Sequence, residues 1–337
     1  MTEISGAPAG PSRAAVLERR GAPPVLVTRP APVPGAGEAL VRMLACGLCG
    51  SDLFLQDGGF GEVFPVVPGH EAAGRVVAVG PGVTRVSPGD LVALYYIDND
   101  PGAVWPNLGP GVRRMGVDVD GALADHVVRP ERTLVPAPCG IAPVELALLT
   151  DAVATPYHAL TTVADVRAGE TVVVIGVGGI GSNAVQLARL LGAEVYAVGR
   201  SRRSLDLALR LGATRAITPA EAERALPRGA DVVLVCADGP GLDELAVRLA
   251  GSRARIVLVA ASRRPLAVSG VDLIWRECVL LGSRGFTPQD IAAVHDLYLR
   301  GDLVMDHLVG DIRPLADVAA AFHDLRHGGT TRIVIVP

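Results

Sequence analysis

An apolar run, Thr171-Val-Val-Val-Ile175, passes directly into Gly176-Val177-Gly178-Gly179-Ile180-Gly181 and then into a helical pattern that continues to Leu191. The physical logic of the spacing is specific. Gly176 allows a tight turn, Gly178 lets the backbone approach a pyrophosphate, and Gly181 lets helix and strand pack closely, with amide N–H groups facing the anion. Glycines at this spacing are a weak signal alone, and the bland alternative is a turn that binds nothing; strand before and helix after make it a dinucleotide-binding fingerprint. Further strands at Glu194 to Val198, Val232 to Val235 and Arg255 to Val259 alternate with helical patterns, one of them ending at Leu211. That alternation predicts an α/β fold with a doubly wound parallel sheet covered by helices on both faces. The uncharged run from Thr171 to Ala188 has the length of a membrane span, but its glycines, Asn183 and Gln186 break it into strand, turn and helix.

The choice of dinucleotide is read about 20 residues further on, where an acid would accept from the ribose 2′-OH of NAD. That acid is missing. Gly199, Arg200, Ser201 and Arg203 instead offer space for a 2′-phosphate, guanidinium groups to pair with it and a hydroxyl, which favours NADP(H) over NAD(H). A solvated first turn of helix is the competing reading of these arginines. Glu194 stands at the wrong end of its strand to replace the acid.

The residues before about Pro138 have a different texture, with short apolar runs (Ala39 to Leu44, Ala73 to Val79, Asp90 to Leu94) separated by turn signals, and predict a mostly β domain. A helical segment, Pro288 to Arg300, and a final strand, Arg332 to Val336, are expected to return and complete it. The expected division is therefore 1–150 and 286–337 for this first domain and 151–285 for the nucleotide-binding one. The Ala/Pro/Gly-rich beginning is expected to fray.

All 31 cationic side chains are arginine, so a Schiff-base lysine, a P-loop lysine and a Tyr-Lys proton-transfer pair are excluded. A net charge of −4, with scattered arginines, argues against nucleic acid or anionic lipid as a partner. The five cysteines, Cys46, Cys49, Cys139, Cys236 and Cys278, make no disulfide framework, and a start without a signal-peptide pattern fits a reducing cytoplasm.

Cys46-Gly-Leu-Cys49-Gly-Ser51-Asp52 and Pro68-Gly-His70-Glu71 bring together thiolate, imidazole and carboxylate, ligand types that zinc prefers. Taken alone, they leave a redox pair and a surface His-Glu equally open.

Cys-Gly-Ser-Asp at 49–52, the run Phe64-Pro-Val-Val-Pro-Gly-His-Glu-Ala-Ala-Gly74, Val79-Gly-Pro-Gly-Val83, Pro88-Gly-Asp90, the dinucleotide fingerprint and Thr150-Asp-Ala-Val-Ala-Thr-Pro-Tyr-His-Ala159 occur together. From about Arg13 to its end, the chain resembles the zinc-dependent alcohol dehydrogenases of the medium-chain dehydrogenase/reductase superfamily. The resemblance implies a GroES-like, mostly β catalytic domain plus a Rossmann domain. It implies that Cys49, His70 and Asp151 hold one catalytic zinc, with Asp151 where relatives often have cysteine, and that Glu71 can approach the metal. Asp52 would orient His70. Ser51 would pass a proton, Thr155 would lie beside the nicotinamide, and Arg332 would touch the pyrophosphate. The substrate would be a small alcohol or carbonyl compound, and the assembly a homodimer or homotetramer.

Two departures from the family pattern stand out. Relatives often carry a relay histidine three residues after the serine, where this chain has Phe54. No cysteine occurs between Leu91 and Cys139, so no structural zinc is expected, and packing of Tyr95, Tyr96 and Trp105 is expected to hold that lobe unless those rings wall the substrate cleft. Cys139, Cys236 and Cys278 read as core residues, and His158 as a structural histidine. Two other functions compete: reduction of a conjugated C=C bond, and a non-catalytic cofactor-binding relative, against which the retention of Cys49, His70, Glu71 and Asp151 argues.

Overall fold

The strand Glu38–Leu48 is the longest of the β region, and its length lets it take three partners. Along one edge it pairs antiparallel with Glu71–Val79; along the other, its first half pairs with His126–Pro130 and its end with Ile333–Val336. The sheet runs in the order Ile312–Pro314, Ile333–Val336, Glu38–Leu48, Glu71–Val79, Leu91–Leu94, Leu134–Pro136. Its inward residues, among them Val41, Met43, Leu94, Leu134 and Ile335, make one apolar core with Phe322 of the helix Val318–Arg326. The computed structural model describes residues 10–328 and 332–337, so the beginning expected to fray lies largely outside the described residues.

The chain divides into two compact units. One comprises the residues up to Asp151 with Thr287–Gly301 and Met305–Pro337; the other comprises Ala152–Phe286 and Asp302–Val304. The second unit carries a six-stranded, wholly parallel sheet in the order Arg215–Ile217, Glu194–Val198, Thr171–Ile175, Ala230–Val235, Ala250–Leu258, Val279–Gly282. The order reverses beside Thr171–Ile175, the strand that ends in the glycines. Thr171–Ile175 and Glu194–Val198 form as read. Ala250–Leu258 begins five residues before the expected Arg255, because the polar Gly251-Ser252-Arg253 stretch hides a strand start in which Arg253 takes φ +61°. The helix after the glycines, Gly179–Leu190, needs a glycine at 181, since a Cβ there would stand 1.8 Å from the Gly176 carbonyl oxygen.

The lobe between Leu94 and Thr133 corrects the packing expectation for Trp105. Its indole is 59 % exposed, because nothing in the short polar turns around it can cover so large a ring. Polar stitches hold the lobe instead. Arg132 pairs with both oxygens of Asp98 at 2.8 and 2.9 Å, Arg114 does the same to Asp118, and the Asn99 amide donates to the carbonyls of Trp105, Pro106 and Leu108. Cys139 is likewise not a core residue; it is exposed in the Pro/Gly turn before Pro143–Leu148. Cys236 and Cys278 are partly buried.

On the returning helix Pro288–Leu299, His295 is 2 % exposed and its Nε2 has no hydrogen-bond partner among the described residues. Burial lowers its pKa to about 4, and only Asp296 pulls the other way. The unfolded imidazole takes a proton below about 6.5, the folded one only below about 4. Its contribution to stability is therefore complete above pH 6.5 and lost as pH falls toward 4, by up to about 3 kcal/mol. His295→Leu is expected to flatten the fall in denaturation midpoint between pH 7 and pH 5. Parallel pH profiles for variant and wild type would show that the histidine is already solvated.

Candidate active site

The end of Glu38–Leu48 delivers the site. Cys49 follows the strand directly and precedes the helix Gly50–Gln56. The register Gly47↔Glu71 sets Glu71, and with it His70, alongside; the register Ile333↔Leu48 brings Arg332 to the same end. Gly47 is required here, since a Cβ would fall 2.1 Å from the Glu71 carboxylate. Asp151 comes from the π-helical turn Leu149–Val153 that continues Pro143–Leu148, and such insertions into a helix re-aim side chains at functional sites. Thr150 anchors the turn by donating to the Ala147 carbonyl at 2.6 Å.

One ligand atom each from Cys49, His70 and Asp151 lies within 4.8 Å of the others, and all three residues are buried. Asp52 orders this group with both its oxygens. Oδ2 accepts from the Cys49 backbone N–H at 2.9 Å, while Oδ1 accepts from the Gly69 N–H at 3.2 Å and lies 3.4 Å from His70 Nδ1. Nδ1 thus faces a carboxylate, and Nε2 faces Asp151 Oδ2 at 3.9 Å and Ser51 Oγ at 2.9 Å. Arg332, 3 % exposed, donates from Nη2 to Glu71 Oε1 at 3.1 Å and to Asp151 Oδ2 at 3.3 Å.

Charge in this space is lopsided. Asp52, Glu71 and Asp151 are buried with one guanidinium. Burial works against a charged His70, yet Asp52 foremost, with Cys49 and Asp151, raises its pKa well above the usual value. Burial also opposes the Arg332 charge, and Glu71, Cys49 and Asp151 more than offset it, holding the pKa above the ordinary arginine value. Cys46, beside the group, is pushed well above the usual thiol value by burial first and by Asp52 and Glu71 next. Three buried donors of mixed softness, a thiol sulfur, an imidazole and a carboxylate, converge among an excess of carboxylates, which fits a zinc ion with one coordination position left for a small molecule.

The remaining sequence candidates belong to the second unit. Gly178 precedes Gly179–Leu190, and a Cβ built on it would project into open space. Asn183, read in the sequence only as a polar break in an apolar run, is fully buried and donates to the carbonyls of Ala152 and Gly179. Thr155 and His158 are buried on Ala154–His158. Gly199 is buried, Arg200 and Arg203 are exposed, and Ser201 caps Arg202–Arg210 by accepting from Ser204. In the first unit, the Tyr96 ring lies tilted at 5.5 Å from the His70 ring, whereas Phe54 packs edge-on against Phe60. The sequence held no local sign of the Arg332 contacts, which depend on pairing between opposite ends of the chain.

A parallel nucleotide-type sheet, a β unit and a convergent Cys-His-Asp group define a zinc-type, dinucleotide-dependent oxidoreductase. Residues 35–139 match the alcohol dehydrogenase GroES-like domain, and residues 179–300 match the zinc-binding dehydrogenase domain. An NDMA-dependent alcohol dehydrogenase of Amycolatopsis methanolica is 33% identical, over 96% of this chain and 98% of its own. Similar solved structures include a zinc-binding dehydrogenase from Sinorhizobium meliloti 1021 bound to NADP, with TM-score 0.87, 28% identity and coverage of 97% and 100%. The cobalt- and zinc-bound thermostable alcohol dehydrogenase from Pyrobaculum aerophilum gives TM-score 0.85 and 30% identity, with coverage of 97% and 100%. The chain belongs to the zinc-type alcohol dehydrogenases of the medium-chain dehydrogenase/reductase superfamily. It is an NAD(P)-dependent oxidoreductase of the alcohol dehydrogenase type.

Cys49→Ala is expected to abolish stoichiometric zinc, measured by elemental analysis after dialysis, while nicotinamide-cofactor affinity and the melting transition largely persist. Full zinc retention would exclude Cys49 as a ligand.

Proposed function

We propose that the chain interconverts an alcohol and an aldehyde or ketone at one zinc ion, using NADP(H). The observation that carries the reading is the approach of thiolate, imidazole and carboxylate to within 4.8 Å, with the Ser51 hydroxyl on the nitrogen that faces them. Zinc held by Cys49, His70 and Asp151 would polarise the substrate oxygen as a Lewis acid, while the nicotinamide gives or takes hydride. Ser51 then takes up or returns the hydroxyl proton. Asp52 keeps Nδ1 occupied so that Nε2 remains the ligand nitrogen. Tyr96 supplies an apolar ring beside that imidazole. Support for a single metal comes from the lobe, which has no cysteine between Leu91 and Cys139 and is stitched by ion pairs.

NADP(H) is favoured by the end of Glu194–Val198. Gly199 stands where NAD binding would use an acid, and it leaves no carboxylate to receive a ribose 2′-OH. Arg200 is exposed at the end of the strand and Arg203 is exposed in the first turn of Arg202–Arg210, where a 2′-phosphate would lie; Arg202 pairs with Asp206 along that helix, and Glu194 accepts from the Tyr196 hydroxyl. Gly178, with open space ahead of it and a twelve-residue helix behind, fits close approach of a pyrophosphate. Thr155 is assigned to the nicotinamide by family resemblance.

Phe54 in the relay position favours one rival, reduction of a conjugated C=C bond. A panel of alcohols and carbonyls run with both cofactors tests the reading. With an enone, an allylic alcohol is the expected product, and a saturated ketone would favour the rival. Arg200→Ala is expected to weaken NADPH binding by about 10-fold or more, in line with loss of a charge-assisted hydrogen bond, and to leave NADH nearly unchanged. Equal losses for both cofactors would defeat the phosphate assignment.

Self-association belongs to the same reading. Val271, Ile274, Trp275 and Val279 are exposed beside the outer strand of the parallel sheet, an edge suited to antiparallel pairing with its own copy about a twofold axis. Trp275→Glu is expected to lower the mass measured by light scattering to that of one chain. An unchanged mass would move the interface elsewhere.

A further inference from the structure

An aspartate as third ligand raises a problem that a cysteine would not. Its carboxylate turns about a soft torsion and offers two equivalent oxygens, so something must choose which oxygen faces Cys49 and His70. In this chain the oxygen nearest the imidazole is Oδ2, 3.9 Å from His70 Nε2, and Arg332 Nη2 holds that same oxygen at 3.3 Å. The guanidinium is itself fixed. Its Nη2 also donates to Glu71 Oε1 at 3.1 Å, and its Nε lies 3.1 Å from Glu71 Oε2. Glu71 in turn sits in the sheet opposite Gly47, and Arg332 directly precedes the strand Ile333–Val336. A planar fork with a fixed base therefore reaches one oxygen of a ligand carried on a different element, the π-helical turn Leu149–Val153.

We infer that Arg332 is a positioning residue for the metal, holding Asp151 Oδ2 toward Cys49 and His70 from a base on Glu71. This rests on the metal reading proposed above. The role goes through Asp151, so it differs from general charge balance in what a double substitution shows. A sulfur ligand at position 151 needs no guanidinium to choose its donor atom, and the coupling should vanish there.

The test uses the full chain and zinc alone, with affinity measured by competition against a chromogenic chelator. Arg332→Met is expected to bind zinc about 10- to 100-fold more weakly, the usual effect of removing a group that orients a metal ligand. Arg332→Lys, which keeps the charge but not the fork, should fall between the two and remains informative if Arg332→Met misfolds. Circular dichroism and melting of the metal-free proteins report on folding separately. In an Asp151→Cys background, Arg332→Met should change affinity by less than about threefold. Cobalt-substituted protein should show altered ligand-field bands for Arg332→Met only when position 151 is aspartate.

Wild type that takes up zinc while both Arg332 variants bind it equally well would overturn the inference and leave the metal reading standing. The same loss whether position 151 carries aspartate or cysteine would overturn it too, assigning Arg332 to charge balance. Wild type that takes up no zinc would sink both.

Discussion

The metal group depends on the register of one antiparallel ladder. Glu38–Leu48 carries Cys49 at its end, Glu71 lies opposite Gly47, and Ile333 lies opposite Leu48. Because side chains alternate with a period of two, a slip of one residue in either pairing would turn Glu71 or Arg332 to the other face of the sheet. The core beneath specifies the pairing strongly. Val41, Met43, Leu48, Val76, Ile333 and Ile335 all belong to the same apolar cluster, and a slip would expose that whole set. Chemistry at one end of the strand is thus fixed by burial along its length.

What the ladder delivers is costly to bury. Carboxylates removed from water lose several kcal/mol each unless they are hydrogen-bonded or paired. Asp52 meets that requirement by accepting two backbone N–H groups from the two segments that carry Cys49 and His70, so its carboxylate also sets the spacing of the two ligands. Glu71 and Asp151 both pair with the Arg332 guanidinium, whose Nη2 donates to each. The raised pKa of His70 expresses the same imbalance, since the surrounding anions favour positive charge on the imidazole. A divalent cation held by Cys49, His70 and Asp151 would relieve that imbalance.

Most of the framework was legible because its signals are local. The strand Thr171–Ile175, the glycines and the helix that follows lie within one short stretch, and the β texture of the first unit follows from short apolar runs between turns. The convergence of Cys49, His70 and Asp151 was legible by resemblance, since each sits in a recognisable motif. What could not be read depends on distance in the chain. Nothing around Arg332 tells that it pairs with Glu71 and Asp151, because that follows from pairing the chain's last strand with Leu48. The helix Val318–Arg326 and the edge strand Val279–Gly282 escaped notice for a related reason, as short apolar stretches acquire a definite state only from their neighbours. Trp105 and Cys139 misled in the opposite sense. Residue type suggested burial, and turn-rich surroundings left both at the surface.

The serine and its neighbours limit how a proton leaves the site. Ser51 Oγ lies 2.9 Å from His70 Nε2, the nitrogen that also faces Asp151. Once Nε2 serves as a ligand its lone pair is taken, and the hydroxyl is free to turn to a substrate oxygen while staying within the same few ångströms. Beyond Ser51 the helix offers Phe54, whose ring rests edge-on against Phe60 at 5.0 Å between centroids. An aromatic pair neither accepts nor donates a proton, so in the proposed mechanism Phe54 would offer Ser51 no onward step along this helix face. In the proposed mechanism a proton taken up by Ser51 would continue through a group that is not on this helix, such as a cofactor ribose or water. The pH dependence of turnover then reports on the substrate hydroxyl and that second group, and no histidine at position 54 buffers it.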